Sequence, residues 1–151
     1  MSSAAAHPHG VHFGRQDIQL AGMGVAVILA AVGVLAFVPG ITTQYSQMQF
    51  LGPGSHAMFL GLFQVSMLLN LVSLAVGVGG WLMSHTTTGA RAFLYGGGAL
   101  YLAMSVYGLA VGPNSAANFL SVNILDAWTH MVLGILMMTA GWMFSPNQAD
   151  R

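Results

Sequence analysis

Hydrophobic positions gather into four long runs, separated by stretches rich in turn-forming residues. The longest covers residues 57–83, 27 positions without a charged side chain. As a helix it would extend about 40 Å at ~1.5 Å per residue, more than the ~30 Å hydrocarbon core of a bilayer. Its small and polar residues are ordered: Ser66, Asn70, Ser73, Gly77 and Gly80 recur at steps of four, three, four and three, which puts them on one helical face. In lipid such a face turns toward protein, because small residues allow close backbone approach and an unpaired amide is costly in hydrocarbon. The pattern predicts a helix around which the others pack. Asn70 is expected to point into the bundle, and Gln64, Ser66 and Ser73 to hydrogen bond between helices.

The other runs predict spans over residues 18–38, 92–111 and 126–144. In the first, Gly22, Ala26 and Ala30 form a small-residue stripe. A signal peptide competes there, since Val34 and Ala36 could precede a cleavage site. The apolar run is long for that role and Arg15 is a thin positive flank, so a span is favoured. In the third span, Gly96-Gly97-Gly98 predicts a close helix crossing, and Tyr101, Ser105 and Gly108 continue the face of Gly97. Two long connections lie at one end, residues 39–56 and 112–125. Pro39-Gly40 opens the first and Gly52-Pro53-Gly54 makes a second turn within it. Tyr45, Met48, Phe50 and Leu51, with no charge among them, predict that it folds back as a cap. The second carries Asn114, Asn118 and Asn123. Thr88 is expected to cap the third helix and Asp126 the fourth. Residues 1–16 and 145–151 read as polar tails, the first disordered; His7, His9 and His12 could gather a metal ion loosely, but nothing in the sequence fixes their geometry.

Composition agrees with this reading. The chain of 151 residues is 56% hydrophobic and 4% charged, where a soluble domain has about a quarter charged. Three Arg, no Lys and three acids give zero formal net charge, which argues against nucleic acid as a partner and against a polybasic lipid-binding patch. The absence of cysteine excludes disulfides, thiolate metal sites and cysteine nucleophiles. Arg15, Arg91 and Arg151 fall in the N-terminal segment, the short connection and the C-terminal tail, and the two long connections contain neither Lys nor Arg. By the positive-inside rule both termini are expected in the cytoplasm and the long connections outside. The fold class is thus an all-α integral membrane protein, a four-transmembrane-helix bundle with two apolar extracytoplasmic loops. Each half also reads as span, long outer connection, then a span with a His near its start and a Gly soon after. His56 and Gly61 match His130 and Gly134 in this scheme, which suggests parallel two-helix repeats.

Candidate chemistry is sparse. Asp126 and His130 stand at i, i+4 on the fourth span, with His56 expected at a similar depth and Asn118 in the loop before them. This cluster at the outer mouth of the bundle is the candidate site. The structural reading of Asp126 is a helix cap and of His130 a bond to a loop carbonyl; the functional reading is an Asp-oriented imidazole that binds or relays protons. A b-type haem would need facing His ligands, and only His56 and His130 lie at that boundary. No carboxylate pair, nucleophile motif or metal-ligand helix signature supports hydrolysis or group transfer. Transport is conceivable because Asn70 lies mid-span, but no acid or base occupies the central third of any span.

Many short motifs occur in order: Phe37-Val38-Pro39-Gly40-Ile41-Thr42-Thr43, Gly61-Leu62-Phe63-Gln64-Val65-Ser66, Ala90-Arg91, Gly96-Gly97-Gly98, Tyr107-Gly108 and Ser115-Ala116-Ala117-Asn118-Phe119, followed by Asn123, Asp126, Trp128 and His130. Together they resemble the small bacterial four-span membrane proteins grouped as domain of unknown function 4383. The resemblance implies a four-helix protein of the bacterial inner membrane, with no assigned activity. Family members often carry a His-Asn-x-x-His arrangement in the second span. Here Leu69 and Ser73 flank the retained Asn70, so a metal or haem role resting on those His is not carried over. The expected function is a non-catalytic accessory or scaffold subunit, in contact with lipid, other membrane proteins or copies of itself. The alternatives are haem or metal binding at the outer mouth and a small oligomeric transporter or channel. No cofactor is expected under the first reading.

Overall fold

The computed structural model describes residues 15–144. Its elements in order are α1 (Arg15–Leu35), β1 (Thr42–Thr43), a 3-10 turn at Tyr45–Gln47, β2 (Met58–Phe59), β3 (Phe63–Gln64), α2 (Met67–Met83), α3 (Thr87–Val111) and α4 (Ile124–Met143). The protein is mostly helical, with four helices and a minor three-stranded antiparallel sheet of order β1-β2-β3. α1, α3 and α4 are long and apolar enough to cross a membrane, and α2 is apolar but shorter.

Glycines set how the helices pair. α1 packs on α2 where Gly33 lies against the Leu74 backbone and Gly77 against the Ala30 backbone, contacts that any Cβ would obstruct. α3 packs on α4 at Gly98 and Gly134, each of which faces the other's carbonyl oxygen. Backbones this close gain dispersion contact along the whole crossing. Of the Gly96–Gly98 triplet, Gly98 therefore makes the crossing. Gly97 meets the flexible end of Met137 and, at ordinary contact distance, the Phe93 ring, and Gly96 faces open space. Polar side chains such as Ser66, Asn70, Ser84 and Ser105 are buried, whereas Leu20, Leu82, Val106, Leu136 and Trp142 are each at least 60% exposed. That distribution is inverted from a water-soluble fold, in which large apolar patches are rare.

The helix expected over residues 57–83 begins ten residues later, at Met67. Residues 57–66 instead complete a β-hairpin. Ser55, Ala57 and Phe59 are buried while His56 and Leu60 are exposed and Met58 is intermediate, an alternation with period two. Leu60 (φ 54) and Gly61 (φ 71) occupy the left-handed region at the turn, which the Leu62 N–H closes onto the Phe59 carbonyl at 3.1 Å. A hydrophobic run without charge suits either structure, and here the turn decides. Ser66 is consequently the N-cap of α2, its hydroxyl accepting from the Leu69 N–H at 3.2 Å. Gln64 lies on β3, so neither residue bonds between helices from within a span. Asn70, Gly77 and Gly80 do fall on the buried face of α2.

The other helix starts also shift. α3 begins at Thr87 rather than residue 92, capped by Thr86 and not Thr88. α4 is capped by Asn123, and Asp126 is the third residue of a reciprocal capping box. The second long connection contains no strand, so the two halves do not share a connection structure among the described residues. The N-terminal His residues lie outside those residues.

Candidate functional site

The two long connections close one end of the helices by bonding to each other. Gly52 N–H donates to the Phe119 carbonyl (2.8 Å), Ser121 Oγ to the Gly52 carbonyl (2.5 Å) and Ser66 Oγ to the Leu120 carbonyl (3.2 Å). Asn123 Nδ2 donates to the Leu62 carbonyl at 2.9 Å. Asn118 holds the second connection together: its Nδ2 donates to the Pro113 and Val122 carbonyls, and its Oδ1 accepts from the Val122 N–H. With every polar atom of its amide in use, Asn118 is a structural residue of the cap. His56 is exposed on the cap surface.

Asp126 ties the cap to α4. Its Oδ2 accepts from the Asn123 N–H (2.9 Å) and from the Gln64 N–H of β3 (3.0 Å). The carboxylate thereby serves both its own helix and the hairpin, and it sits in the first turn, where the helix dipole favours negative charge. No hydrogen bond joins it to His130, whose Nδ1 is buried without a partner. The Asp-oriented imidazole expected from the i, i+4 spacing is not formed.

Beneath the hairpin lies a cavity of about 340 Å³, within the ~300–1,000 Å³ typical of ligand sites. Phe59, Phe63 and Val65 roof it, Leu69, Asn70 and Ser73 of α2 and Tyr101 of α3 form its back, and α1 and α4 form its sides. α1 and α4 barely touch along this face. The gap between them is bordered by Ile28, Val32, Val132 and Leu136, all exposed. The cavity thus opens sideways onto the apolar flank of the helices, and the cap covers its end.

The polar groups of this cavity come from three elements, α2, α3 and α4. Asp126 and His130 share it, together with Thr129, and the His130 ring lies 5.3 Å from the Tyr101 ring, tilted by 53°. Tyr101 is buried, and its hydroxyl approaches Ser73 without completing a hydrogen bond of good geometry. Asn70 is buried too, but its Nδ2 is directed to the Met48 sulfur of the first connection at 3.9 Å, not to another helix. Of the expected cluster, then, Asp126 and His130 meet in one cavity, while His56 and Asn118 do not line it. Asn70, Ser73 and Tyr101, expected to pack and hydrogen bond between helices, join it. The roof residues Phe59 and Phe63 went unassigned, hidden in a run read as helix. The sequence did hold one usable signal, since Asp126, His130, Leu133 and Leu136 recur at helical spacing on α4.

A family model described as a domain of unknown function, DUF4383, matches residues 19–143. The chain belongs to this family. No curated protein and no solved structure matches it. In this DUF4383 chain, Leu69 and Ser73, the two positions where the resemblance leads one to expect His, both line the cavity and leave His130 as its one imidazole. Among the described residues, no three or more His, Cys, Asp or Glu converge to hold a metal ion.

Proposed function

We propose that this DUF4383 chain is a multi-pass protein of the bacterial inner membrane that binds a small membrane-soluble molecule in the cavity between α1 and α4. The sideways opening of that cavity onto apolar helix faces carries the reading. A water-borne ligand would be expected to enter through the capped end, whereas a molecule dissolved in lipid needs only the gap between two helices. Binding without catalysis is favoured because the Asp126 carboxylate is committed to two backbone N–H groups and does not orient His130. A large side chain at the opening should exclude the ligand. Protein purified in mild detergent is expected to carry one bound lipid-soluble molecule by native mass spectrometry, and Leu136→Trp to lose most of it. Equal retention by the variant would refute the site.

A second reading, the accessory subunit, is favoured by the outer surface of the cap, where Phe50, Leu51, Leu60, Leu62 and Phe119 are exposed. The same spectra report on it: masses of a heteromer support it, and a lone monomer counts against it.

The orientation we propose places both termini in the cytoplasm. Arg15 and Arg91 both lie at the end opposite the cap, near the starts of α1 and α3. Single cysteines at Gln47 or Asn114, exposed on the capped end, are expected to react with an impermeant thiol reagent in intact cells. A cysteine at Thr88 should react only after permeabilisation. The opposite pattern would invert the orientation.

A further inference from the structure

We infer that the occupant of the cavity is an uncharged, slender lipid whose head presents one carbonyl or hydroxyl oxygen to Ser73. This rests on the binding reading above and adds the chemistry of the ligand.

Charge comes first. Among the described residues no Lys or Arg lines the cavity, and Asp126 is the one formally charged side chain that does. An anionic head would enter beside a carboxylate with no cation to balance it. A cationic head would find a single carboxylate whose Oδ2 already accepts two backbone N–H groups at a helix N-terminus. Burying either ion without a full partner is costly. An uncharged head avoids both.

Hydrogen bonding then locates the head. Buried polar atoms are nearly always paired in folded proteins, yet Tyr101 Oη and His130 Nδ1 are both sealed from solvent and unpartnered. Ser73, only partly buried, lines the cavity beside the Tyr101 hydroxyl. A hydroxyl has one proton to donate and two lone pairs to accept. When Ser73 accepts from the Tyr101 O–H, its own proton is left for an oxygen in the cavity, and the two bonds strengthen one another. A bound carbonyl or hydroxyl oxygen thus completes a hydrogen-bonded chain that starts at the buried Tyr101 hydroxyl.

Size sets the body. About 340 Å³ holds roughly a dozen heavy atoms at ~30 Å³ each. That admits one substituted ring or a short length of a single chain, with the remainder passing between Val32 and Leu136 into the surrounding apolar phase. The two lines of a diacyl lipid do not fit side by side. A prenylated quinone supplies the carbonyl, and a long-chain alcohol supplies the hydroxyl.

The test is competition binding with the full-length protein in detergent micelles, using tritiated hexadecanol as probe. Unlabelled hexadecanol and a decyl-substituted benzoquinone are expected to displace it, and the better of the two identifies the source. Hexadecanesulfonate, hexadecylamine and a phosphatidylcholine should each compete at least tenfold more weakly. Ser73→Ala is expected to weaken hexadecanol about tenfold while leaving displacement by hexadecane unchanged, a difference that general misfolding would not produce. Charged heads competing as well as the alcohol would overturn the inference about the head and leave the cavity standing. So would a Ser73→Ala variant that binds hexadecanol as tightly as the parent. Unchanged hexadecanol binding by Leu136→Trp would instead remove the cavity reading itself.

Discussion

Gly98→Leu is expected to destabilise the protein by about 3 kcal/mol or more, the upper range for forcing extra atoms into a packed interior. The reason lies in what the new side chain meets. A Cβ at Gly98 would come 2.7 Å from Met138 Cγ and 3.0 Å from the Gly134 carbonyl oxygen. The second of these is helix backbone, which cannot yield without separating α3 from α4. That pair shares the broadest helix contact in the molecule. Gly96→Leu supplies the control, because nothing lies within 4 Å of a Cβ there; it should change stability by less than about 1 kcal/mol. Gly97→Ala should be intermediate, since Met137 can swing its terminal methyl aside. Unfolding in graded mixtures of mild detergent and dodecyl sulfate, followed by circular dichroism, gives the order. Equal effects at Gly96 and Gly98 would mean that the α3–α4 crossing is not set by this glycine.

Asp126→Ala should produce the next largest loss, about 2–4 kcal/mol, because it removes two bonds of different kinds. One is the return half of the capping box with Asn123, and a cap is worth about 1 kcal/mol. The other is the bond from the Gln64 N–H across to the hairpin, whose loss leaves a part-buried donor unsatisfied at about 1–3 kcal/mol. Asp126→Asn keeps an acceptor oxygen in place and should cost about 1 kcal/mol or less. The comparison separates two roles. If the carboxylate serves only as an acceptor for backbone N–H groups, Asn largely replaces it. If Asn is as damaging as Ala in the same unfolding experiment, the negative charge itself is required, and the structural assignment fails.

Much of the helical scaffold was legible in the sequence because its signal is periodic. The steps linking Asn70, Gly77 and Gly80 gave the buried face of α2 correctly, and the uncharged runs located α1, α3 and α4 to within a few residues. The hairpin was hidden for a physical reason. Between residues 57 and 66 hydrophobicity is so continuous that it fits helix and strand alike, and the deciding features are local: one turn at Leu60-Gly61 and three buried residues in alternation. Reading that stretch as helix also misplaced His56, expected at the mouth of a helix and found exposed on the cap. The cap of α4 was displaced by three positions because Asn123 and Asp126 bond reciprocally, and either alone could be taken for the N-cap. The cavity was the least legible. Ser73, Tyr101, Phe59 and His130 come from elements distant in the chain, and the space they enclose depends on α1 and α4 failing to meet, which no repeat within either helix encodes.

The claim that the cavity opens into lipid can be measured at its edge. A nitroxide attached to a single cysteine at Leu136, in protein reconstituted into liposomes, reports collisions with oxygen, which concentrates in hydrocarbon, and with a neutral nickel chelate, which stays in water. The label at Leu136 is expected to be relaxed strongly by oxygen and weakly by the chelate, while a reference label at Gln47 on the cap shows the reverse. A Leu136 label that meets the chelate as freely as Gln47 does would mean that the cavity faces water, and the lateral route from the bilayer would be contradicted.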